Sequence, residues 1–343
     1  MFNYIYRKLS LLLFISFGIT AFVFSLNYMF PSDTLTNMSG IQNINELNYQ
    51  QLAEDYKLND SIVTQYTSYL SRLANGDWGI SINNGESIFD QVFSLLPATI
   101  ELATYALLYS FVVAIPFGVL AASESRPWLD KTILSLSLIG FSMPIFWLAL
   151  IMTLIFSINL GWFPTSGRLS LVYDVPYSSG FLLWDIIQSD INYKSEALID
   201  ALKHLAIPTF VLAAYPTTVL IRTTRQSMKS VMQKSYIKAA RAKGLSTWKV
   251  LHRHGLRNGL LPVIQTLGIH FGTLITLAMV TEVIFAWPGV GSMLVDAIHQ
   301  RDYTAIQGGL LVISALVFIA TILFDLLYMI FDPLARIHGH GKI

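Results

Sequence analysis

Long apolar stretches separated by polar segments dominate this chain. A helix that crosses a membrane needs about 20 predominantly apolar residues. Six stretches are long and apolar enough: Leu9–Asn27, Thr99–Ala122, Ile133–Leu160, Leu205–Leu220, Val263–Ala286 and Ala305–Phe331. The fourth contains Pro208 and Pro216, and proline is tolerated in a span where neighbouring groups satisfy the freed backbone carbonyls, so we predict that this span is buried. The pattern predicts an all-α polytopic membrane protein with about six transmembrane helices.

The polar segments between these stretches differ in charge. Residues 30–98 carry eight acidic and two basic residues, and residues 161–204 carry five acidic and three basic residues. Between Arg222 and Leu261, by contrast, there are ten basic residues and no acidic one. Because loops rich in Lys and Arg stay in the cytoplasm, this basic loop, the Ser123–Thr132 turn and the tail with Arg336 and Lys342 are predicted to lie inside. Both termini are therefore expected to be cytoplasmic.

The N-terminal apolar stretch has two interpretations. A short apolar run after Arg7 and Lys8 is typical of a signal peptide. The stretch from Leu9 to Phe30 is longer than the 7–15 apolar residues of a signal and has no small-x-small cleavage site, which favours a retained span. The predicted division is a tail and first span (1–30), an external region (31–98), a transmembrane core (99–331) that contains a cytoplasmic loop (222–262), and a cytoplasmic tail (332–343).

The basic loop has the sequence features of two short helices. Lys234–Lys243 contains three alanines, which favour a helix, and Gly244 follows as a stop signal. A second helix is predicted after Ser246, a candidate N-cap, from the pattern Trp248, Val250, Leu251 and His254. The small residues Ala239 and Ala240 near Gly244 allow another protein to approach closely. The alternative is a polybasic segment attracted to anionic lipid head groups.

These two segments resemble the cytoplasmic coupling loop in permease subunits of the dipeptide, oligopeptide and nickel ABC importers. Other segments typical of that family follow in order along nearly the whole chain: Gly76–Gly79, Leu96–Leu102, Gly140–Trp147, Leu160–Gly167, Thr281–Gly291, and Arg301–Tyr303 with Gln307–Gly308. The resemblance implies the type I importer permease fold and a location in the bacterial inner membrane. It also implies a second permease subunit, two ATPase subunits and a periplasmic substrate-binding protein as partners. The residues that it implies for coupling to the ATPase are Lys238, Ala239, Ala240, Gly244, Leu245, Arg253, Asn258 and Pro262.

Residues 140–175 and 208–218 look most like the B permease of the Sap branch of this family. That branch is associated with antimicrobial-peptide uptake and resistance and, in some bacteria, with putrescine export. The resemblance implies cationic peptides or polyamines as substrates, and neutral di- or oligopeptides are the alternative. Two positions depart from the family pattern. Lys238 stands where the general coupling signature prefers Glu, and Asp332-Pro333-Leu334 lacks the Arg that usually follows Asp-Pro.

Several residues in or beside the spans are candidates for a role in transport. Glu101 is expected in the first turn of its helix, where the helix dipole favours an anion. Glu282 lies near the external end of the fifth span, where it is expected to pair with a cation or to meet a cationic substrate. His270 lies between Gly268 and Gly272, a small-xxx-small spacing that predicts close packing between helices.

Pro144 is predicted to bend the third span, because proline removes one backbone hydrogen bond of the helix. Ser142, Phe146 and Trp147 lie beside this bend, and aromatic faces can hold amine cations. Together with Pro144 and Glu282 they are candidates for lining the translocation path. The alternative is that these aromatic residues face lipid or the protein core.

Composition and missing motifs exclude several function classes. With 54% hydrophobic and 13% charged residues, the chain is too apolar for a soluble protein, which carries roughly 25% charged residues. It has no cysteine and no Gly-x4-Gly-Lys-Ser/Thr phosphate loop, so ATP is expected to be hydrolysed on other subunits. We expect no catalytic residue, cofactor, metal or nucleic-acid partner for this chain.

Two rival functions are less well supported by the sequence. An ion-coupled secondary transporter needs an ion site near the membrane midplane, where this chain has almost no acidic residue. A function as a membrane scaffold or sensor does not explain the Ala-Ala-x3-Gly pattern of the basic loop.

Overall fold

The structure, a computed structural model, describes residues 2–42, 45–122 and 127–331. Within these ranges the chain is helical, apart from loops and one isolated antiparallel bridge between Ile80 and Ser87. The helices are α1 (Phe2–Met29), α2 (Thr34–Ser39), α3 (Glu46–Asp55), α4 (Ile62–Ala74), α5 (Ile88–Ala121), α6 (Pro127–Ser142), α7 (Ile145–Met152, continued by the wider π-type turns of Thr153–Asn159), α8 (Leu182–Gln188), α9 (Lys194–Met232), α10 (Ser235–Ala242), α11 (Thr247–Val250, followed by π-type turns at Leu251–Leu256), α12 (Arg257–Gly259), α13 (Leu261–Ile284), α14 (Val290–Gln300) and α15 (Tyr303–Phe331).

The core of the bundle lies where α5, α9, α13 and α15 meet. Small buried residues, Ala106, Ser110, Ala114 and Gly118, recur every fourth position of α5 and form one face of that helix. This face packs against α9, and a Cβ added at Gly118 would lie 2.5 Å from the Cβ of Thr224. The backbones of the two helices therefore approach too closely for a larger side chain, as small residues permit between membrane helices.

Among the described residues, four helical stretches are long and apolar enough to cross a membrane, in α5, α9, α15 and the 34-residue stretch Leu251–Ile284. The third predicted span, Ile133–Leu160, is not continuous: α6 and α7 are bent by 100° between Ser142 and Ile145. Pro144 is the N-cap of α7 and has no N–H to donate, which confirms the predicted bend. In α1, the described residues include a further apolar stretch, Leu13–Met29.

The helix that contains the fourth predicted span is longer than the span itself. α9 begins at Lys194 and ends at Met232, so it includes polar residues that we assigned to the flanking loops. Those flanks, such as Lys194–Leu205, are rich in Ala, Leu, Lys and Glu, which are good helix formers in spite of their polarity. Pro208 and Pro216 lie inside this helix, and half of its apolar window is buried, compared with 33% for α5, which confirms the predicted burial.

The described residues between 31 and 87 form a folded cap rather than an irregular loop. The helices α2, α3 and α4 share a small core with the end of α1, built around Phe24, Leu35, Tyr56 and Tyr69. The end of the bundle that carries α2–α4, α8 and α14 is called the cap end below, and the opposite end, which carries α10–α12, the coupling end. The predicted tail 332–343, with Arg336, Lys342 and Asp332-Pro333-Leu334, and part of the Ser123–Thr132 turn lie outside the described residues.

Candidate functional site

The coupling segment, residues 235–259, consists of α10, the following turn and the helical stretch from α11 to α12. α10 ends where predicted: Gly244 follows it with φ +78°, a conformation that glycine adopts without strain. Ser246 precedes α11, and its Oγ lies 3.5 Å from the backbone N of Lys249, in agreement with an N-cap position. The predicted pair of short helices is therefore present.

Apolar contacts hold the coupling segment against the bundle. Ile237 and Ala240 of α10 pack against Val250, and Met232 at the end of α9 lies beside them. The following turns approach α9 closely, since a Cβ added at Gly259 would lie 2.4 Å from the Sδ of Met228. The segment is therefore attached to α9 on one side, which leaves its other side free for contacts with a partner.

Seven of the eight predicted coupling residues are exposed in the folded chain: Lys238, Ala239, Gly244, Leu245, Arg253, Asn258 and Pro262. The eighth, Ala240, is buried against the bundle, so of the two adjacent alanines Ala239 alone is open to a partner. The Asn258 side chain donates a hydrogen bond to the Tyr236 hydroxyl over 3.0 Å and so connects α12 to α10. A Cβ added at Gly244 meets nothing within 4 Å, which shows how open this face is.

An ion-pair cluster beside the coupling segment was missed by sequence reasoning. Asp130 of α6 accepts hydrogen bonds from both Arg225 and Lys229 of α9, with 2.6 Å from Arg225 Nη2 and 2.8 Å from Lys229 Nζ. Two of the ten basic residues that we assigned to a solvated loop therefore lie on a helix and are paired. A lone aspartate in the predicted Ser123–Thr132 turn was the available signal, but its partners are about 95 positions away.

At the cap end, a buried carboxylate joins three helices. Glu282, at the end of α13, has no exposed surface; its Oε1 accepts a hydrogen bond from the Thr99 hydroxyl (2.7 Å) and its Oε2 accepts one from the backbone N of Ser292 (2.9 Å). The Thr99 hydroxyl in turn accepts a hydrogen bond from the backbone N of Val290 (2.9 Å). Val290 and Ser292 belong to the first turn of α14, whose N–H groups have no partner within the helix. Glu282 and Thr99 thus cap α14 from two other helices, an arrangement we call the α14 junction.

The structure corrects the role predicted for Glu101. α5 begins at Ile88, so Glu101 lies more than three turns inside its helix and not in its first turn. Its carboxylate instead pairs with Arg168 and accepts a hydrogen bond from the backbone N of Leu183 in the first turn of α8. Arg168 also lies 5.3 Å from the ring of Trp287, whose indole N–H donates to the Ala98 carbonyl (3.0 Å). Glu101 therefore holds the cap segments to α5.

The other four residues predicted to line the translocation path lie at the break between α6 and α7. Ser142, Pro144, Phe146 and Trp147 surround the break between α6 and α7, and all four are exposed in this single chain. Both the translocation path and a lipid-facing surface require such exposure, so the geometry leaves both interpretations in place. Glu282 is not exposed beside them, because it is fully buried in the α14 junction.

His270 and its flanking glycines pack within the chain, as predicted. A Cβ added at Gly268 would lie 2.9 Å from the Cβ of Phe324, and one added at Gly272 would lie 3.4 Å from Val317, so α15 is the helix that approaches. The His270 Nδ1 lies 3.0 Å from the Tyr215 hydroxyl of α9. Gly268 and Gly272 therefore allow close packing between α13 and α15.

Comparison with known proteins agrees with this arrangement. The family model described as "Binding-protein-dependent transport system inner membrane component" matches residues 114–337, which include α9, α13 and the coupling segment. The chain belongs to this family.

Two groups of relatives match the permease over nearly its full length. The di/tripeptide transport system permease DppB of Pseudomonas aeruginosa is 38% identical over 98% of this chain and 99% of its own. The peptide transport system permease SapB of Salmonella typhimurium is 39% identical over 96% of this chain and 95% of its own. The SapB of Escherichia coli K12, described as a putrescine export system permease, is 38% identical over the same shares. The predicted family is confirmed, and the two groups match with nearly equal identity.

A solved structure supports the fold. The methionine ABC transporter MetNI, in an inward-facing conformation, matches 68% of this permease and 93% of its own chain with a TM-score of 0.51 and 14% sequence identity. At that identity the likeness shows the fold alone. The predicted type I importer permease architecture is confirmed.

Proposed function

We propose that this permease forms, with a second permease subunit, the translocation path of an ATP-driven peptide transporter, and that it receives mechanical force through the coupling segment. The observation that carries the proposal is one continuous helical stretch, Leu251–Ile284, which begins in the exposed coupling segment and ends at the α14 junction. At 1.5 Å per residue, 34 residues span roughly 50 Å, enough to connect both ends of the bundle. The names of the DppB and SapB relatives, which are peptide transport permeases, support the substrate class.

The partners in this proposal are two ABC ATPase subunits on the coupling segment and a periplasmic substrate-binding protein at the cap end. In this arrangement the chain lies in the bacterial inner membrane with both termini cytoplasmic, as the ten basic residues between Arg222 and Leu261 favour. The exposed Ala239 and Gly244 give an ATPase close access to the backbone. A segment held by lipid head groups alone would need charge but not this open, small-residue surface.

Force on the coupling segment reaches the rest of the bundle by two routes in this mechanism. One is the Leu251–Ile284 stretch, and the other is α9, to which Gly255 and Gly259 are packed. The Asp130 pairs with Arg225 and Lys229 connect α9 to α6, and through the break at Pro144 to α7. Closure of the ATPases would then move α6 and α7 with α9, and a two-state bundle biased by nucleotide is all that alternating access requires.

We further propose that the residues at the α6–α7 break, Ser142, Pro144, Phe146 and Trp147, line the path. The chain has no cysteine, so a single cysteine can replace Ser142 or Phe146 without background thiol labelling from the rest of this chain. In the assembled transporter, water-soluble thiol reagents should modify them at rates that change with the nucleotide state. Modification by lipophilic reagents alone, independent of nucleotide, would assign this face to the lipid.

The proposed substrates are peptides that carry positive charge, or polyamines, and neutral short peptides are the alternative. The predicted external segments hold thirteen acidic residues, from eight in 30–98 and five in 161–204, against five basic residues. A negative surface attracts cations, although at ~0.15 M salt its field reaches roughly 8 Å. Part of the excess follows from topology alone, and some acids have structural roles. Burial raises the pKa of Asp185, but hydrogen bonds from the 178–180 loop together outweigh it and hold this pKa below its ordinary value.

Reconstitution into proteoliposomes tests this function. The permease, assembled with its second permease and ATPase subunits, should accumulate peptide when ATP is supplied, and a hydrolysis-deficient ATPase should abolish the uptake. A lysine-containing peptide or putrescine should be transported faster than a neutral dipeptide. Uptake of the neutral dipeptide alone would overturn the substrate preference and leave the permease function intact. Uptake driven by a proton gradient without ATP would overturn the function itself.

A further inference from the structure

An open cleft of about 520 Å³ lies at the cap end, between the loop before α5, the first turns of α5, the end of α13 and one face of α14. Small-molecule sites typically have volumes of 300–1,000 Å³, so the cleft can hold a molecule of dipeptide size. It lies beside the α14 junction, at the far end of the Leu251–Ile284 stretch from the coupling segment. No established role of the chain uses this space.

The lining of the cleft accepts hydrogen bonds and carries negative charge. None of its lining residues is Lys, Arg or His. Two of its three carboxylates are engaged: Glu282 in the α14 junction, and Asp302, which accepts hydrogen bonds from the Ser81 hydroxyl and the backbone N of Ala305. The third, Asp296 on α14, is exposed and forms no ion pair with a described residue. Asp296 is therefore the available charge.

A second acceptor in the cleft lacks a donor. The Oε1 atom of Gln91, on the second turn of α5, is buried and accepts no hydrogen bond within the described chain. A buried acceptor without a donor is unfavourable, so Gln91 gains a hydrogen bond if its side chain turns toward a ligand that donates one. Leu95 and Met293 provide apolar wall, and the carboxamides of Asn83 and Gln300 can donate as well as accept.

We propose that this cleft is a binding subsite for a primary ammonium group, either the N-terminus of a peptide or the amine of a polyamine, with Asp296 accepting from the ammonium and Gln91 Oε1 accepting from a second N–H of the ligand. The proposal rests on the proposed transport function and assigns to this subsite a substrate feature, a free amino group. The absence of a cationic lining residue and the presence of two unused acceptors both exclude an anion as the preferred ligand.

Protection from thiol labelling tests binding in the cleft directly. In the assembled transporter, a cysteine that replaces the exposed Gln300 should react with a water-soluble maleimide, and the parent chain provides a background without cysteine. Ala-Ala should slow the labelling and N-acetyl-Ala-Ala, which lacks the ammonium, should not. Protection by putrescine in addition would show that any primary amine suffices, whereas protection by Ala-Ala alone would assign the site to peptide N-termini. Equal protection by Ala-Ala and its acetylated form, or protection by the binding protein alone, would overturn the proposal.

The variant Asp296→Asn removes the charge without changing the shape of the cleft. The Ala-Ala concentration for half-protection should rise about tenfold, which corresponds to ~1.4 kcal/mol. Asp190→Asn, an exposed acid that does not line the cleft, should leave this concentration unchanged. An unchanged value for Asp296→Asn would overturn the assignment of Asp296. Labelling does not require ATP, so the two proposals can be tested separately. If Ala-Ala gives no protection while ATP-driven uptake is intact, the subsite is wrong. If uptake fails while Ala-Ala still protects, the transport function is wrong.

Discussion

The coupling segment and the α14 junction stand at opposite ends of one helical stretch, Leu251–Ile284, and they are built in opposite ways. The coupling segment presents small residues and charges to the outside, and Gly244 has no neighbour within 4 Å. At the junction, Glu282 is fully buried, both carboxylate oxygens are engaged, and Gly289 and Gly291 leave no room for a side chain. A surface that binds a partner can be open, whereas a point that transmits movement within the chain must be tightly packed, because loose packing absorbs displacement.

This difference predicts that substitutions at the junction reduce the stability of the chain, and that substitutions at the coupling segment reduce transport without unfolding it.

The largest effect is expected for Glu282→Leu. Leucine would leave the Ser292 N–H and the Thr99 hydroxyl without an acceptor in a buried site, where each unsatisfied group costs about 1–3 kcal/mol. We expect a loss of ~3 kcal/mol in the free energy of unfolding, measured by detergent-induced denaturation in mixed micelles. Glu282→Gln keeps one oxygen for Ser292 and an N–H for Thr99, so its loss should be about 1 kcal/mol. Equal losses for the two variants would show that charge, and not hydrogen bonding, matters at this position.

Overpacking the junction should have the next largest effect. A Cβ added at Gly291 would lie 2.7 Å from the Met279 Cα, a backbone atom that cannot move aside. Gly291→Val should therefore destabilise the chain by about 2–3 kcal/mol in the same assay. Gly140→Val is the matched control, because the atom nearest to its added Cβ is at 3.6 Å, an ordinary contact. A control that unfolds as readily as Gly291→Val would contradict the argument from close packing.

At the coupling segment we expect the opposite result. Gly244→Asp places a side chain on the open face and introduces strain at φ +78°, so the loss of stability should stay near 1 kcal/mol. ATP-driven uptake should fall at least about tenfold, equivalent to ~1.4 kcal/mol of barrier, and co-purification with the ATPase subunits should weaken.

Gly161→Asp is the control for backbone strain, because Gly161 has φ +64° and no neighbour within 4 Å but lies away from the coupling segment. It should show the same small loss of stability with normal uptake. Equal loss of uptake in both variants would mean that strain, not a partner, explains the result, and normal uptake for Gly244→Asp would favour contact with lipid.

The smallest effect is expected for Asp130→Asn. This change removes the charge that pairs with Arg225 and Lys229, but the cluster is partly exposed, and such ion pairs contribute about 1 kcal/mol or less. Uptake should decrease modestly, and the difference from the parent chain should shrink at high salt because salt screens exposed charges. Asp60→Asn, at an exposed position of the cap, should change neither measurement. A difference that persists at high salt would indicate a packing role for Asp130.

How far the sequence predicts this protein depends on how local each feature is. The break at Pro144 and the helix end at Gly244 were predicted correctly, because a missing N–H and a positive φ act within a few residues. The full length of α9 was not predicted, because apolar character measures contact with lipid or core, whereas helix formation continues through polar residues with good propensity. The role of Glu101 was wrong for a related reason: α5 begins eleven residues before the apolar stretch does.

The membrane class, the helical units, the family and the basic coupling segment can be predicted without the structure, because each is expressed in composition or in spacing over short distances. The packing of the helices determines which charged side chains are paired and which are available to bind a ligand. Glu282 and Thr99 are 183 positions apart, and Asp130 and Arg225 are 95 apart, so their pairing depends on how the helices pack and not on any local pattern. Burial then decides the role of each acid: a carboxylate enclosed by donors holds helices together, and one left exposed in a cleft, such as Asp296, remains free to bind a ligand.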